Sequence, residues 1–378
     1  MSNRRLLLAT FASAILLAAC DSTGEDSTPA PPSGPDSQTV VRQRLLDGLF
    51  APPTAAETTL VASQWLGRVP SAEGARWQDS GRVAASLPPL ATVLGFPREW
   101  TDPDTVEVRL LSHVVDGFRH QGVLWAPSGR ARLPLLVFSH GGDDGIDSAQ
   151  WSAVLQATRA FRDSIAILAP SFRSEPVGVL SKPVSEGTPS PWDRDVEDLR
   201  SLVRSAAALD PRLDTTNVCL VGYSRGGGVA LLAAARDGLF TCLATVAAPT
   251  AFQGPWVRAL SDSILKGKVV DLPGLDHLTE TVLLPYRDGR IALDSARREL
   301  VRRSAVTWAR RLPTNAIFFH GYVDQLVPSE ELDRLEVALQ VLGRTPDTRR
   351  SNHDHYRIVA PALLQIAPFV HDNLLPAR

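Results

Sequence analysis

Residues 217–238 read NVCLVGYSRGGGVALLAAARDG, an apolar run that passes through glycines into an alanine-rich run. The first part is typical of a buried strand, and the second part is typical of a helix that packs closely on a sheet. Between them, Gly222-Tyr223-Ser224-Arg225-Gly226 fits the pattern G-x-S-x-G, in which a sharp strand-to-helix turn exposes the central hydroxyl. This predicts a nucleophilic Ser224 at the positive end of the helix; the alternative is a glycine-rich helix start that serves packing alone.

Strand and helix patterns alternate on both sides of this turn. Predicted strands are TVEVRLLSHVV, HQGVLWAP, LPLLVFSHGG, SIAILAP, FTCLATVAAP and PTNAIFFHG, with helices between them and a terminal helix after residue 355. Such alternation predicts an α/β fold with a mostly parallel, doubly wound sheet over residues 105–378. Residues 250–312 are too many for a plain loop and predict a helical insertion over one end of the sheet.

A serine nucleophile requires a base, and the base requires an orienting acid. The stretch HGYVDQLVP, residues 320–328, follows an apolar strand and places Asp324 at the carboxyl end of that strand, where such sheets carry their sites. This predicts Asp324 as the acid, against the alternative of a turn-forming or capping aspartate. The base follows in chain order, and the loop before the last helix offers His355, with His353 as the reserve. His371 lies within the terminal helix and is expected at the surface.

The negative oxygen of an acyl-transfer intermediate is stabilised by backbone N–H groups. The first expected donor is the amide of Arg225, directly after the nucleophile. The second is expected from the glycine loop after LPLLVFS, with Gly142 preferred and Gly141 second. A tight turn without this role is the alternative for that loop.

The amino-acid composition excludes several classes of protein. The chain has 378 residues, 44% of them hydrophobic, and a net charge of −2, which excludes a disordered chain, a collagen-like fibre and a multi-span membrane protein. The absence of a basic field argues against a nucleic-acid partner. Cysteines form no CxxC pair; Cys219 and Cys242 fall on neighbouring predicted strands, and we expect two buried free thiols rather than a bridge. Five tryptophans are candidates for lining a cleft, with packing as the default role for each: Trp65, Trp77, Trp100, Trp192 and Trp256.

The N-terminus indicates export. Residues 1–19 join two arginines to an apolar run of signal-peptide length, and the run ends in Leu17-Ala18-Ala19-Cys20. This resembles a bacterial lipoprotein signal, which implies cleavage before Cys20 and lipidation of its sulfur; an ordinary secretory signal is the alternative. Residues 20–40 are then a disordered polar tether, and residues 41–104 a helical extension with one helix in VVRQRLLDGLF and another in TAAETTLVASQWLG. The expected location is extracytoplasmic, at the periplasm or cell surface, with the lipid as membrane anchor.

Taken together, Ser224, Asp324 and His355 in this order, with HGG upstream, resemble the α/β-hydrolase fold. Residues 105–378 more narrowly resemble the catalytic domain of prolyl oligopeptidase-like serine hydrolases, through GYSRGG, HGYVDQLVP and the supporting stretches APSFR, DRDVEDL and RRSAVTWARRLP. The resemblance implies that Ser224 is the nucleophile, Asp324 the acid and His355 the base. The chain differs from those peptidases on the oxyanion loop, where many of them carry a tyrosine and this chain has His140. A smaller esterase of the dienelactone-hydrolase type fits the same residues equally well.

The sequence therefore predicts a serine hydrolase that cleaves a small ester through an acyl-enzyme, without cofactor or metal. A serine peptidase acting on short peptides is the close alternative. Two further hypotheses are a metallohydrolase with ligands from His353, His355 and the acidic loop Asp143, Asp144 and Asp147, and an inactive binding protein on a hydrolase scaffold.

Overall fold

The computed structural model describes residues 37–66, 73–78, 105–146, 148–177, 184–236 and 238–376. Several predictions fall outside these residues: the signal at 1–19, Cys20, most of the tether, the residues 79–104, Asp147 and Trp100. Helix α1 spans Ser37–Leu49 and so begins inside the range 20–40 that the sequence assigned to the tether. Within the described ranges, no helix is both long and apolar enough to cross a membrane.

The centre of the fold is a sheet to which the described residues contribute nine strands, in the order β1-β2-β3-β5-β4-β6-β7-β8-β9. They are β1 Glu73–Gln78, β2 Val106–Val115, β3 Phe118–Pro127, β4 Leu133–Ser139, β5 Ala166–Ser171, β6 Leu213–Tyr223, β7 Cys242–Val246, β8 Ala316–Gly321 and β9 Asp347–Ser351. Strands β5, β4, β6, β7, β8 and β9 pair in parallel, and β1, β2 and β3 extend the sheet through antiparallel pairs. The predicted α/β fold with a mostly parallel sheet is confirmed.

Helices cover both faces of the sheet, as the apolar character of its strands requires. Besides α1, the longer helices are α2 Ala55–Trp65, α3 Ser148–Ala157, α4 Arg194–Leu209, α5 Arg225–Arg236, α6 Pro255–Leu265, α9 Leu293–Arg303, α10 Glu330–Val341 and α11 Val359–Leu374. One core cluster joins a sheet face to α2, α4, α5, α10 and the insertion, and the other joins the opposite face to α3 and α11. Helix α5 is buried along its whole length, which explains its alanines and glycines.

The insertion after β7 is helical, as expected from its length. It contains α6, the short helices α7 Leu275–Leu278 and α8 Leu284–Arg287 around a π-helical turn at Thr279–Leu283, then α9 and a 3-10 segment at Ala305–Arg311. Residues 292–312, ALDSARRELVRRSAVTWARRL, are not one continuous helix, because the extended backbone of Ser304 separates α9 from the 3-10 segment. The insertion covers the end of the sheet at which the strands β6, β7 and β8 finish, because Leu272 and Pro273 face Ser224 across a cavity.

Arg297 of the insertion ties the N-terminal extension to the hydrolase body. Its guanidinium donates to the carbonyls of Gly48, Ala51 and Pro52 and binds the Glu57 carboxylate, with Nε 2.5 Å from Oε1. Glu57 also forms a capping box with Thr54 at the start of α2. The hydrogen bond from Arg297 is the largest of the effects that lower the pKa of Glu57 to about 2. The extension is therefore held by an ion pair between a buried arginine and a half-buried glutamate as well as by its apolar side chains.

The two cysteines of the sheet correct one expectation. Cys219 of β6 and Cys242 of β7 lie directly opposite each other in the parallel register, with their Cα atoms 4.6 Å apart, and they form a disulfide. We predicted free thiols because neighbouring parallel strands seldom offer suitable geometry. The direct register brings the Cα atoms within the range that a disulfide spans.

Candidate active site

Ser224 lies in the turn between β6 and α5, in a strained backbone conformation. Its φ is 53°, in the left-handed region that residues other than glycine rarely adopt. The turn fits only because its neighbours are small: a Cβ on Gly226 would lie 2.1 Å from the Ser139 carbonyl oxygen. The Ser224 N–H donates to the Val246 carbonyl at 2.8 Å, which fixes the turn against β7. The hydroxyl is thereby presented at the N-terminus of a buried helix.

Ser224 is joined to two other side chains by hydrogen bonds. His355 Nε2 lies 2.8 Å from Ser224 Oγ, and His355 Nδ1 lies 2.7 Å from Asp324 Oδ2. The three residues come from the ends of β6, β8 and β9, which are brought to one edge by the parallel order of the sheet. An imidazole held in this way can accept the hydroxyl proton while the carboxylate stabilises the resulting positive charge.

The carboxylate of Asp324 is oriented by its own loop. Oδ1 accepts the N–H groups of Leu326 and Val327, both at 3.0 Å, which leaves Oδ2 for His355. Burial raises the pKa of Asp324, but hydrogen bonds from His320 and His355, together with the Val327 N–H, outweigh burial and lower this pKa to about 2. Asp324 is therefore ionised at neutral pH.

His320 is a neighbour that the sequence analysis did not assign to the site. Its Nε2–H donates to the Val327 carbonyl at 2.8 Å and lies 3.5 Å from Asp324 Oδ2. The ring is buried and fixes the turn that presents Asp324. Its position as the first residue of HGYVDQLVP could have indicated this role, because a side chain near the end of a strand can reach the loop that follows.

The loop that carries His355 is positioned by contacts on both sides. Tyr223 donates its hydroxyl proton to the His355 carbonyl at 3.1 Å, and its ring lies 5.4 Å from the imidazole. Gly321 permits the close approach of the loop, since a Cβ there would lie 2.1 Å from the His353 carbonyl oxygen. Edge strand β9 leads directly into this loop and pairs with β8 up to Gly321.

The other histidines point elsewhere. His353 Nδ1 faces Ser351 Oγ at 2.8 Å, and His371 is exposed at the surface beside Asp372. The reserve base His353 is therefore directed to a different partner from Ser224. Of the residues that the structure describes, no three His, Cys, Asp or Glu side chains are grouped so that they would hold a metal ion.

The glycine loop after β4 lines the cavity with Gly141 and Gly142. The Gly141 N–H donates to Gln150 Oε1 at 2.9 Å, so this second-choice donor already has a partner. Gly142 has a φ of 78° and lines the cavity beside Ser224 and Arg225. The preferred pair, the N–H groups of Gly142 and Arg225, stays a prediction. Gln150 was not foreseen because it lies on a helix outside any motif.

A cavity of about 740 Å³ opens above Ser224. Four aromatic residues line it: Trp192, Tyr223, Trp256 and Tyr356. Trp192 is buried against Phe252 and donates its indole N–H to the Arg225 carbonyl, whereas Tyr356 is 72% exposed at the rim. Of the five tryptophans considered from the sequence, Trp65 and Trp77 instead pack in the core on the face of α2 and α4.

The rim of this cavity is acidic. Asp143 and Asp144 of the glycine loop and Asp271 of the insertion are exposed and line the opening. Partial burial, followed by the negative charge of Asp144, raises the pKa of Asp143. The lining residues include Arg225, but its guanidinium is buried and bound to the carboxylates of Glu175 and Asp195. The opening therefore presents net negative charge to a substrate.

Comparison with known proteins gives the same fold. The chain aligns over 72% of its length with the acylaminoacyl peptidase of Pyrococcus horikoshii, at 14% identity and a TM-score of 0.50, and spans 42% of that peptidase. It aligns over 86% of its length with acetyl xylan esterase 1 from Thermoanaerobacterium sp., covering 98% of that esterase at 16% identity and a TM-score of 0.53. These similarities establish a shared fold only. No curated protein matches the sequence.

The sequence itself matches the model of a protein family. The model described as "Alpha/beta hydrolase family" matches residues 136–371, a range that begins in β4 and contains Ser224, Asp324 and His355. More than half of the chain lies inside this match, and the topology of the sheet agrees with it. The chain belongs to the alpha/beta hydrolase family.

Proposed function

We propose that this protein is a serine hydrolase that cleaves carboxylic esters through an acyl-enzyme, with Ser224 as nucleophile, His355 as base and Asp324 as orienting acid. The observation that carries the proposal is the chain of hydrogen bonds from Ser224 Oγ through His355 to Asp324, at 2.8 and 2.7 Å. A serine–imidazole–carboxylate relay whose serine and imidazole line a cavity is the arrangement that activates a hydroxyl for acyl transfer.

The acylation step follows from this geometry. Ser224 Oγ attacks the carbonyl carbon of the ester as its proton passes to His355 Nε2, and the carbonyl oxygen becomes an oxyanion. The N–H groups of Gly142 and Arg225 stabilise this oxygen. When the tetrahedral intermediate collapses, the bond to the alcohol breaks, His355 returns the proton to the leaving oxygen, and Ser224 remains acylated.

Deacylation repeats these roles with water. A water molecule gives a proton to His355 and attacks the acyl carbon, and collapse of the second intermediate returns the proton to Ser224. Asp324 stays ionised throughout, in keeping with its lowered pKa, and its charge stabilises the imidazolium in both steps.

Cleavage of short peptides is the alternative, and the same groups serve it. We place esters first because an amide is the harder substrate: its nitrogen must be protonated as it leaves, and the bond must be held in register for that transfer. The acidic rim formed by Asp143, Asp144 and Asp271 favours neutral or cationic substrates over anionic ones in either case.

Export and anchoring are a separate part of the proposal. The apolar run within residues 1–19 and the Cys20 that ends it support a lipid anchor, and the polar residues that follow support a tether. The hydrolase would then act outside the cytoplasm at a membrane surface. The disulfide between Cys219 and Cys242 is compatible with an oxidising compartment.

The proposed activity is tested by two measurements on the purified protein. A fluorophosphonate probe should label the wild type on Ser224, and this label separates a serine hydrolase from both a metallohydrolase and an inactive scaffold. The kcat/KM for a short-chain p-nitrophenyl ester is then compared with that for an aminoacyl or Xaa-Pro anilide. We expect the ester to be cleaved much faster; equal values or a preference for the anilide would favour the peptidase.

A further inference from the structure

The peptide unit between Gly141 and Gly142 carries the N–H assigned to the oxyanion. In a trans peptide the N–H points opposite to the C=O of the same unit, so the carbonyl of Gly141 sets its direction. That carbonyl accepts from His140 Nδ1 at 3.2 Å and from Gln150 Nε2 at 3.4 Å. The peptide unit that carries the Gly142 N–H is therefore held through the carbonyl of Gly141.

The next peptide unit is held by the side chain of Arg225. The guanidinium donates from Nη1 to the Gly142 carbonyl at 3.1 Å. Gly142 has no side chain, its φ is 78°, and a Cβ there would meet nothing within 4 Å. A glycine in open space rotates easily between two peptide planes, so the orientation of its N–H depends on contacts to both planes.

The guanidinium is itself rigidly placed. Its Nε and Nη2 donate to Asp195 Oδ2 at 3.0 and 2.7 Å, and its Nη1 lies 2.5 Å from Glu175 Oε1. It lies over the ring of Phe172, 4.8 Å from the centroid, and its side chain is 2% exposed. The two carboxylates, on α4 and on the loop after β5, thus fix the group that reaches Gly142.

We propose that the Arg225 side chain is a positioning residue for the oxyanion hole, because it holds the Gly142 carbonyl and thereby keeps the Gly142 N–H directed at the same point as the Arg225 N–H. One residue then serves the oxyanion twice, through its own backbone donor and through the loop that supplies the other. This inference rests on the proposed function and assigns a role to a charge that the serine–histidine–aspartate relay does not use.

Arg173 provides a matched control. Its guanidinium is similarly buried and binds Asp198 through Nε and Nη2, both at 2.8 Å. Among the hydrogen bonds of the described residues it makes none to the glycine loop 140–146. Replacing either arginine by lysine keeps the charge and loses the forked geometry. Only Arg225→Lys also releases the Gly142 carbonyl.

The test compares ester hydrolysis by Arg225→Lys and Arg173→Lys with that of the wild type. For Arg225→Lys we expect kcat to fall about 100-fold, the effect of losing one oxyanion donor, with KM within about threefold. The affinity for a boronic acid that mimics the tetrahedral intermediate should fall by a similar factor. Arg173→Lys should leave kcat within about threefold.

Thermal melting shows which variants are folded. If Arg225→Lys does not fold, the triple variant Arg225→Gln/Asp195→Asn/Glu175→Gln replaces it, because it removes the three buried charges of this cluster together and leaves neither carboxylate without its partner. An equal loss of kcat in both arginine variants, or a loss that appears in KM alone, would mean that Arg225 is structural and would overturn the inference.

Fluorophosphonate labelling distinguishes failure of the positioning role from failure of the proposed function. A labelled wild type with an Arg225→Lys variant labelled at the same rate would refute the positioning role and leave the hydrolase intact. A wild type that is not labelled on Ser224 would refute the proposed function and, with it, the inference. A labelled wild type with slow labelling of Arg225→Lys alone would support both.

Discussion

Replacing Asp324 by asparagine tests the relay with little change of shape. Asp324 Oδ1 accepts two backbone N–H groups, from Leu326 and Val327, so the oxygen of an asparagine must occupy that position. Its NH₂ group must then lie where Oδ2 now accepts from His355 Nδ1. Because an NH₂ group can only donate, His355 is driven to the tautomer that carries its proton on Nε2.

The expected loss follows from that tautomer. With a proton on Nε2, His355 cannot accept the proton of Ser224, although the 2.8 Å contact can persist with donor and acceptor exchanged. A wrong tautomer of this kind costs about 10⁴ in kcat, or about 5 kcal/mol of transition-state stabilisation at a factor of ten per 1.36 kcal/mol. KM should change little, because the cavity is unaltered.

The assay is steady-state hydrolysis of a p-nitrophenyl ester by Asp324→Asn, with Asp354→Asn as its matched control. Asp354 lies next to His355 in sequence, but its Oδ1 caps the N–H groups of Tyr356 and Arg357, which an asparagine can do equally well. The control should retain kcat within about threefold. If Asp324→Asn, folded by thermal melting, kept kcat within tenfold of wild type, Asp324 would not be the orienting acid.

Three further predictions concern single residues. Ser224→Ala should lose ester turnover by several orders of magnitude and melt close to wild type, since the side chain removed leaves no core cavity; activity within tenfold of wild type would exclude it as nucleophile. His355→Ala should be far more damaging to kcat than His353→Ala, whose ring faces Ser351, and the reverse order would exchange the two assignments. Cys20→Ser should leave the protein in the soluble fraction after membrane fractionation, because serine offers no sulfur for lipidation, and continued pelleting with membranes would contradict the anchor.

Local patterns identified most of the fold because the central strands of the sheet are mainly apolar. Strand β4 is buried at every residue, and a continuous apolar run of that length between turn signals is typical of a strand that is covered on both faces of the sheet. The expectation of a helical extension over 41–104 missed strand β1, because its residues EGARWQ are mostly polar. Strand β9 escaped detection because its residues DTRRS are charged and polar. It is an edge strand, held by backbone pairing with β8 rather than by burial of its side chains.

Some features of the site also have a local sequence signal, and others depend on tertiary contacts. Sequence alone predicts Ser224 as the nucleophile, because a strained turn between strand and helix demands small neighbours at fixed spacing. It also predicts Asp324 as the acid and His355 as the base, with His353 in reserve. The contact of His355 with Ser224, and that of His353 with Ser351 instead, depend on the register of β9 and the close approach at Gly321, neither of which leaves a local signal.

Contacts between residues distant in the chain depend on how the sheet and helices pack, which no local pattern specifies. The disulfide depends on the direct register of β6 and β7, which strand propensities do not specify. Gln150, Glu175 and Asp195 reach the glycine loop and Arg225 from three separate elements. Their roles are invisible in sequence because a polar side chain acquires its partner only when the sheet and its helices have packed around it.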